Sequence, residues 1–241
     1  MDILMVAVLL IGSFGAAVVS GAAGFGGSLL LLPLVTACVG PEVAVPVLTI
    51  AQLLGNAARM TAGFRQIDWR SVGWFSLAAL PLAALGAFGF SVLPKDMVNR
   101  VVGGGLVALV AAKLLLKKEL PKGRATLIVG GGITGALSGL CGSGGPIGAA
   151  VFLSLGLPPV AYIASEAATA TAMHILKTVI YRRLTGMTVQ ELLLGAAMGL
   201  AMFGGTFAAK RFIKNMEKNK FQKYVAVLLC IVGIYMIIAG A

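Results

Sequence analysis

Gly21-Ala-Ala-Gly-Phe-Gly-Gly-Ser28 and Ser138-Gly-Leu-Cys-Gly-Ser-Gly-Gly-Pro146 decide how this chain is read. Shifted by 118 residues, Gly24, Gly26 and Gly27 fall on Gly142, Gly144 and Gly145. Each cluster interrupts an apolar run long enough to cross a bilayer. Glycines there break the helix, strand backbone N–H groups without intrahelical partners, and allow close approach of another group. Irregular backbone at membrane depth survives only where protein buries it or where it lines a polar cavity. Paired breaks at matching positions of two halves point to a transporter's binding site.

Composition places the whole chain in the bilayer. Of 241 residues, 59% are hydrophobic and only 11% are charged, and the mean hydropathy is +1.00. Soluble domains carry roughly 25% charged residues, so no soluble domain fits. The net charge of +11 gathers in short loops between apolar runs, a positive-inside pattern rather than a nucleic-acid surface. Cys38, Cys141 and Cys230 have no disulfide or zinc spacing, and His174 is the only histidine. Neither a metal centre nor a cofactor is expected. The N-terminus lacks the basic region of a signal peptide and reads as a first span.

Eight stretches approach the roughly 20 apolar residues that a span requires: 3–22, 43–62, 72–92, 97–117, 125–140, 159–180, 189–208 and 221–240. Two shorter ones, 27–39 and 145–157, follow the glycine clusters and end at Gly40-Pro41 and Gly156-Leu-Pro-Pro159. They suit half-helices. The correspondence continues where Leu54-Gly-Asn-Ala-Ala-Arg59 meets Ala172-Met-His-Ile-Leu-Lys177, and where Ile67-Asp-Trp-Arg-Ser-Val72 meets Met187-Thr-Val-Gln-Glu-Leu192 with a small slip. The expected fold is all-α and integral to the membrane, in two homologous halves. Each half has four full spans and one half-helix, over residues 1–116 and 125–241, joined by the basic loop 117–124. That loop holds four bases against Glu119, and loop 209–223 holds six against Glu217. If the short segments do not cross, these loops face opposite sides. If they cross, both loops are cytoplasmic and the halves form an inverted repeat; the two strongest basic loops then agree but Arg182 and Arg183 fall outside, so charge counting leaves both arrangements open.

Half-helices starting after Gly27 and Gly145 would aim positive dipole ends at whatever occupies the breaks. Ser28 and Ser143 add hydroxyl donors. Close helix packing is the competing explanation for the glycines. Asn56 and Arg59 share a helix face, and His174 and Lys177 hold the corresponding places. Buried cations cost about 2.5–3.5 kcal/mol on insertion scales, so two of them suggest an anion pathway, unless both snorkel to the interface. Glu166 lies within a span, about three turns before Lys177. It is a candidate proton-coupling group or a partner for a base on another helix, and His174 is a second proton carrier. Gln52, Thr169 and Thr171 are candidates for the same cavity. Cys141 reads as a small packing residue. No catalytic constellation is present, so no enzyme is expected.

At these residues the chain resembles the TauE/SafE sulfite exporter family, also called sulfonate uptake permeases. The family carries a G-x-x-G-x-G-G-G-like motif after its first helix and again in its second half. Here the copies run Gly21-Ala-Ala-Gly-Phe-Gly-Gly-Ser-Leu-Leu-Leu-Leu-Pro33 and Gly135-Ala-Leu-Ser-Gly-Leu-Cys-Gly-Ser-Gly-Gly-Pro-Ile147, with Ser28 where a third glycine is common. The resemblance implies multi-pass residence in the bacterial inner membrane and transport of small sulfur-containing anions such as sulfite or sulfonates. The expected site comprises Gly24, Gly26, Gly27, Ser28, Gln52, Asn56, Arg59, Gly142, Ser143, Gly144, Gly145, His174 and Lys177. The partners are a small anion and the lipid bilayer, with a second copy of the chain also compatible. A membrane anchor or assembly subunit and an anion channel are the alternatives.

Overall fold

A computed structural model describes residues 2–23, 27–94, 97 and 120–213. The described residues are helical, with no strand. In chain order the helices are α1 (Ile3–Ala23), α2 (Gly27–Val39), α3 (Pro41–Ala62), α4 (Trp69–Val92), α5 (Arg124–Cys141), α6 (Gly145–Ser154), α7 (Pro159–Leu184) and α8 (Val189–Ile213). The expected spans at 97–117 (Met97 apart) and 221–240 lie outside the described residues, as do Gly24, Gly26 and Cys230.

Local chemistry sets the boundaries. Gly40 (φ 78°) turns α2 into α3, and Gly142 (φ 72°) ends α5 in the left-handed conformation that glycine adopts without steric cost. Asp68 caps α4 by accepting from the Ser71 N–H at 3.3 Å. Thr188 and Glu191 open α8 with a reciprocal pair: the Thr188 N–H donates to Glu191 Oε2, and the Glu191 N–H donates to Thr188 Oγ1. Such pairs satisfy first-turn donors that a helix leaves orphaned.

Helices α1, α3, α4, α5 and α8 are long and apolar enough to cross a membrane. At 13 and 10 residues, α2 and α6 rise only about 20 and 15 Å, half a bilayer core or somewhat more. The sixth long helix, α7, departs from the expected apolar span. Its 26 residues would reach about 39 Å, yet Glu166, His174, Lys177, Arg182 and Arg183 lower its hydropathy. Residues 161–171 are all buried. A helix shielded by neighbours needs no lipid-facing apolar surface, so α7 is the central element. The lipid-facing role falls to Phe14, Leu77, Leu85, Phe88, Leu200 and Phe203 on α1, α4 and α8, all exposed. Apolar surface this extensive belongs in a membrane.

Packing divides the helices into two groups that cut across sequence order. One apolar core joins α1, α2, α3 and α8 through Leu9, Leu31, Leu48 and Met198, and the C-terminal ends of α4 and α7 reach into it through Ala87, Phe90 and Tyr181. The other joins α4, α5, α6 and α7 through Phe75, Leu127, Phe152 and Tyr162, with Ala209 of α8 at its margin. Helix α4 therefore packs with the elements that follow it, and α8 with those that open the chain. The α4–α5 seam is tight because Gly131, Gly135 and Gly139 bring α5 directly against the α4 backbone at Phe75, Ala79 and Ala83. A Cβ at any of the three would collide with a carbonyl. The two groups meet along α3 and α7.

Candidate functional site

The two glycine breaks come together between the groups. Ser28 at the start of α2 and Ser143 just before α6 are hydrogen-bonded to each other, Oγ to Oγ, at 3.1 Å. Beside them is a cavity of about 30 Å³, room for one or two water molecules. Its walls come from α2 and α3 on one side and α5, α6 and α7 on the other. Gly27, Ser28, Gln52, Asn56, Arg59, Gly142, Gly144, Gly145, Glu166 and His174, all singled out in the sequence, line it. Thr134, Ser138, Ala170 and Met173 complete the lining.

Close approach requires glycine at Gly144 and leaves little room for a side chain at Gly27. A Cβ on Gly27 would stand 3.0 Å from Gln52 Nε2 and 3.2 Å from Gln52 Oε1. A Cβ on Gly144 would collide with the Thr134 carbonyl and stand 3.2 Å from the Ser138 nitrogen. The α6 terminus can thus sit against the α5 backbone.

Arg59 and Asn56 are buried rather than snorkelling, at 5% and 2% exposure. Arg59 Nη1 donates to the Ser20 carbonyl at 3.1 Å, and Nη2 donates to Asn56 Oδ1. Asn56 Nδ2 in turn donates to the Gln52 carbonyl at 2.7 Å. Asn56 is therefore engaged in holding the guanidinium. Across the cavity, Glu166 Oε2 lies 3.9 Å from Arg59 Nη2. The base that faces Glu166 is Arg59 on α3, not Lys177 on its own helix.

Lys177 is fully buried and is not part of the cavity wall. Its Nζ donates to Ser138 O at 3.0 Å and to Ser138 Oγ at 2.8 Å, and Tyr181 Oη donates to the Gly139 carbonyl at 2.5 Å. These are carbonyls of the last turn of α5, where the helix runs out of its own donors and carries negative dipole charge. Ser20, in the last turn of α1, receives Arg59 in the same way. In both cases the cation reaches back 39 residues. Lys177 touches the cavity through Ser138, whose hydroxyl accepts from the ammonium and keeps its own proton for another acceptor.

Thr169 and Thr171 do not line the cavity. Their hydroxyls donate back to the carbonyls of Glu166 and Ala167 at 2.7 Å each. Cys141 is buried outside the lining. Thr134 and Ser138 were not singled out as site residues, although two polar residues one turn apart within an apolar helix, next to a glycine break, are a readable signal.

Among the described residues, five buried side-chain polar atoms lack a hydrogen-bond partner: Thr36 Oγ1, Gln52 Nε2, Thr134 Oγ1, Glu166 Oε2 and His174 Nδ1. Four belong to cavity-lining residues. Native proteins pair nearly all such groups, and exceptions mark functional sites. Ser143 is not in the lining and reaches the site only through its bond to Ser28; with the Arg59 guanidinium and the Ser28 hydroxyl, the wall is rich in donors. Two helix N-termini and a guanidinium favour an anion, and Glu166 is the one carboxylate in the lining.

The family model for the sulfite exporter TauE/SafE matches residues 8–236, nearly the entire chain. No curated protein and no solved structure gives a significant match.

Proposed function

From the premise that the chain belongs to the TauE/SafE sulfite exporter family, an inner-membrane transporter family, we propose that it is a secondary transporter for small sulfur oxyanions, sulfite or a sulfonate. The anion binds where the two glycine breaks meet. The observation that carries this reading is the convergence of unpartnered Gln52 Nε2 and Thr134 Oγ1 with Arg59 on one cavity. Gln52, Thr134, Ser28 and Arg59 would hold the oxygens, and Asn56 orients the guanidinium. The N-termini of α2 and α6 add partial positive charge that a sulfonate or sulfite would offset. A sulfur oxyanion is larger than the waters the cavity accommodates, so binding requires the walls to part; the long, flexible side chains of Met173 and Gln52 can yield.

Alternating access then moves one packing group against the other. We take the moving bodies to be α1–α3 with α8 and α4–α7, rather than residues 1–116 and 125–241. The apolar cores hold those groups together, and the cavity lies on the α3–α7 seam between them. The short α2 and α6 carry their break glycines with their own group, so relative motion opens the site to one face or the other.

The test is flux. Purified protein in liposomes should move labelled sulfite or a small sulfonate down an imposed gradient, saturably, and Arg59→Ala should abolish it. A folded wild-type protein that moves none of these anions under any proton or ion gradient would overturn the proposal.

A further inference from the structure

The Arg59–Glu166 pair is an incomplete one. Charge-assisted hydrogen bonds run at about 2.7–2.9 Å, whereas the pair stands at 3.9 Å. Arg59 gives N–H groups to Ser20 and Asn56 instead. Glu166 Oε2, with its residue 5% exposed, accepts no hydrogen bond. It faces a cavity whose other unpartnered groups include the Gln52 amide and the Thr134 hydroxyl. The wall thus pairs a half-held guanidinium with a half-held carboxylate.

Among the other charged and titratable groups near it, Glu166 Oε2 still accepts no hydrogen bond. On α7, Tyr162 lies one turn earlier and His174 lies two turns later in the same wall. Lys177 is spent on Ser138. At the start of α4, Asp68 approaches through its backbone N–H, which donates to Ser165 Oγ at 2.9 Å, while its carboxylate is held by Ser71. Helices α2 and α6 carry no charged residue, and α5 carries only Arg124, at its first position.

Resting on the reading that this cavity binds an anion, we infer that Glu166 and the substrate alternate as the counter-charge of Arg59, so that one proton enters the site with each monoanion. An anion beside an ionised Glu166 would place two negative charges in a dry cavity with one guanidinium, and like charges in such a site cannot both persist. Protonation at Oε2 removes the conflict. The proton comes from the aqueous side that the cavity faces, and a single O–H bond forms. The neutral acid now needs an acceptor, and an oxygen of the anion supplies it. Arg59 passes from carboxylate to substrate without moving far, since Ser20 and Asn56 hold it throughout. Release runs in reverse: loss of the proton restores the carboxylate, which reclaims Arg59 and expels the anion. His174 has no such exchange available. Protonating it adds a cation one turn from Lys177 and across from Arg59, without freeing Arg59 from Glu166.

The experiment is calorimetric titration of the detergent-purified full chain with methanesulfonate, ethanesulfonate and isethionate, monoanions that do not themselves titrate in the neutral range. Buffers of different ionisation enthalpy report the protons taken up. The wild type should take up one proton per monoanion at the alkaline end, falling as pH drops and Glu166 is already protonated in the empty site. Glu166→Gln should bind with no proton uptake and with an affinity independent of pH, and His174→Gln should keep the uptake. Binding without proton uptake at any pH, or uptake that persists in Glu166→Gln, overturns the coupling and leaves the anion site standing. A folded wild type that binds none of the probes overturns the anion site and the coupling with it. If Glu166→Gln does not fold, the wild-type buffer series with His174→Gln decides alone: uptake abolished by the histidine substitution sinks the assignment to Glu166.

Discussion

Arg59 on α3 and Glu166 on α7 face each other at 3.9 Å across the seam between the two packing groups. Both are buried, and each belongs to a different group, so the pair spans the surface along which the molecule would move. Removing one partner of a buried pair leaves an uncompensated charge and costs about 3–5 kcal/mol.

Arg59→Met alone should therefore lower stability by about 3 kcal/mol, and Arg59→Met with Glu166→Gln should recover a large part of it. Denaturant unfolding in detergent, followed by intrinsic fluorescence, measures both. A double variant no more stable than Arg59→Met would show that the lost bonds to Ser20 and Asn56, rather than the unpaired carboxylate, set the cost.

Gln52 and Thr134 carry polar atoms that nothing in the protein satisfies. Gln52→Leu and Thr134→Val should leave stability unchanged or slightly higher, because a buried unpartnered group is removed. Each should weaken binding of a sulfur oxyanion by roughly ten- to a hundredfold, one lost hydrogen bond to a charged ligand being worth about 1.5–3 kcal/mol. Melting curves with and without the anion separate the two effects, since a ligand stabilises by mass action.

Gly144→Ala should be far more disruptive than Gly27→Ala. At Gly144 the new methyl strikes the Thr134 carbonyl of α5, which is backbone. At Gly27 it meets the Gln52 amide and the Met202 methyl, at 3.0 and 3.2 Å, and both are side-chain ends that can shift. The expected order in thermal stability is wild type, Gly27→Ala, then Gly144→Ala, with Gly27→Ala also losing anion affinity because Gln52 is displaced.

Lys177→Met should cost stability chiefly, and anion affinity less than Arg59→Ala does. Its ammonium is held by Ser138 O and Oγ, and hydrogen bonds to charged groups contribute about 1.5–3 kcal/mol. Tyr181→Phe, which frees the neighbouring Gly139 carbonyl, should cost about 1 kcal/mol. If Lys177→Met instead abolishes anion binding in a protein of normal stability, Lys177 reaches the substrate directly.

Residence in the membrane, the two glycine breaks, the half-helices after them and most of the cavity-lining residues are legible in the sequence. Apolar run length, glycine clustering and helical spacing are local properties, and the pseudo-repeat points at one region twice. Asn56 with Arg59 follows from spacing alone. The pairing of Glu166 does not: helical periodicity places Glu166 and Lys177 on roughly one face, but it cannot tell which neighbouring helix supplies the nearest cation.

The sequence by itself determined that this chain resides in a bilayer, that glycine clusters interrupt its apolar runs in both halves, and that a small set of ionisable residues lies inside those runs, because composition and period follow from the chain's own order. Only the tertiary structure decided that Ser28 meets Ser143, that Arg59 answers Glu166 while Lys177 turns to the end of α5, and that α4 and α8 exchange company between the two groups. Those are contacts between residues roughly 40 to 120 positions apart, chosen by how helices pack against one another, and no local pattern in the chain encodes them.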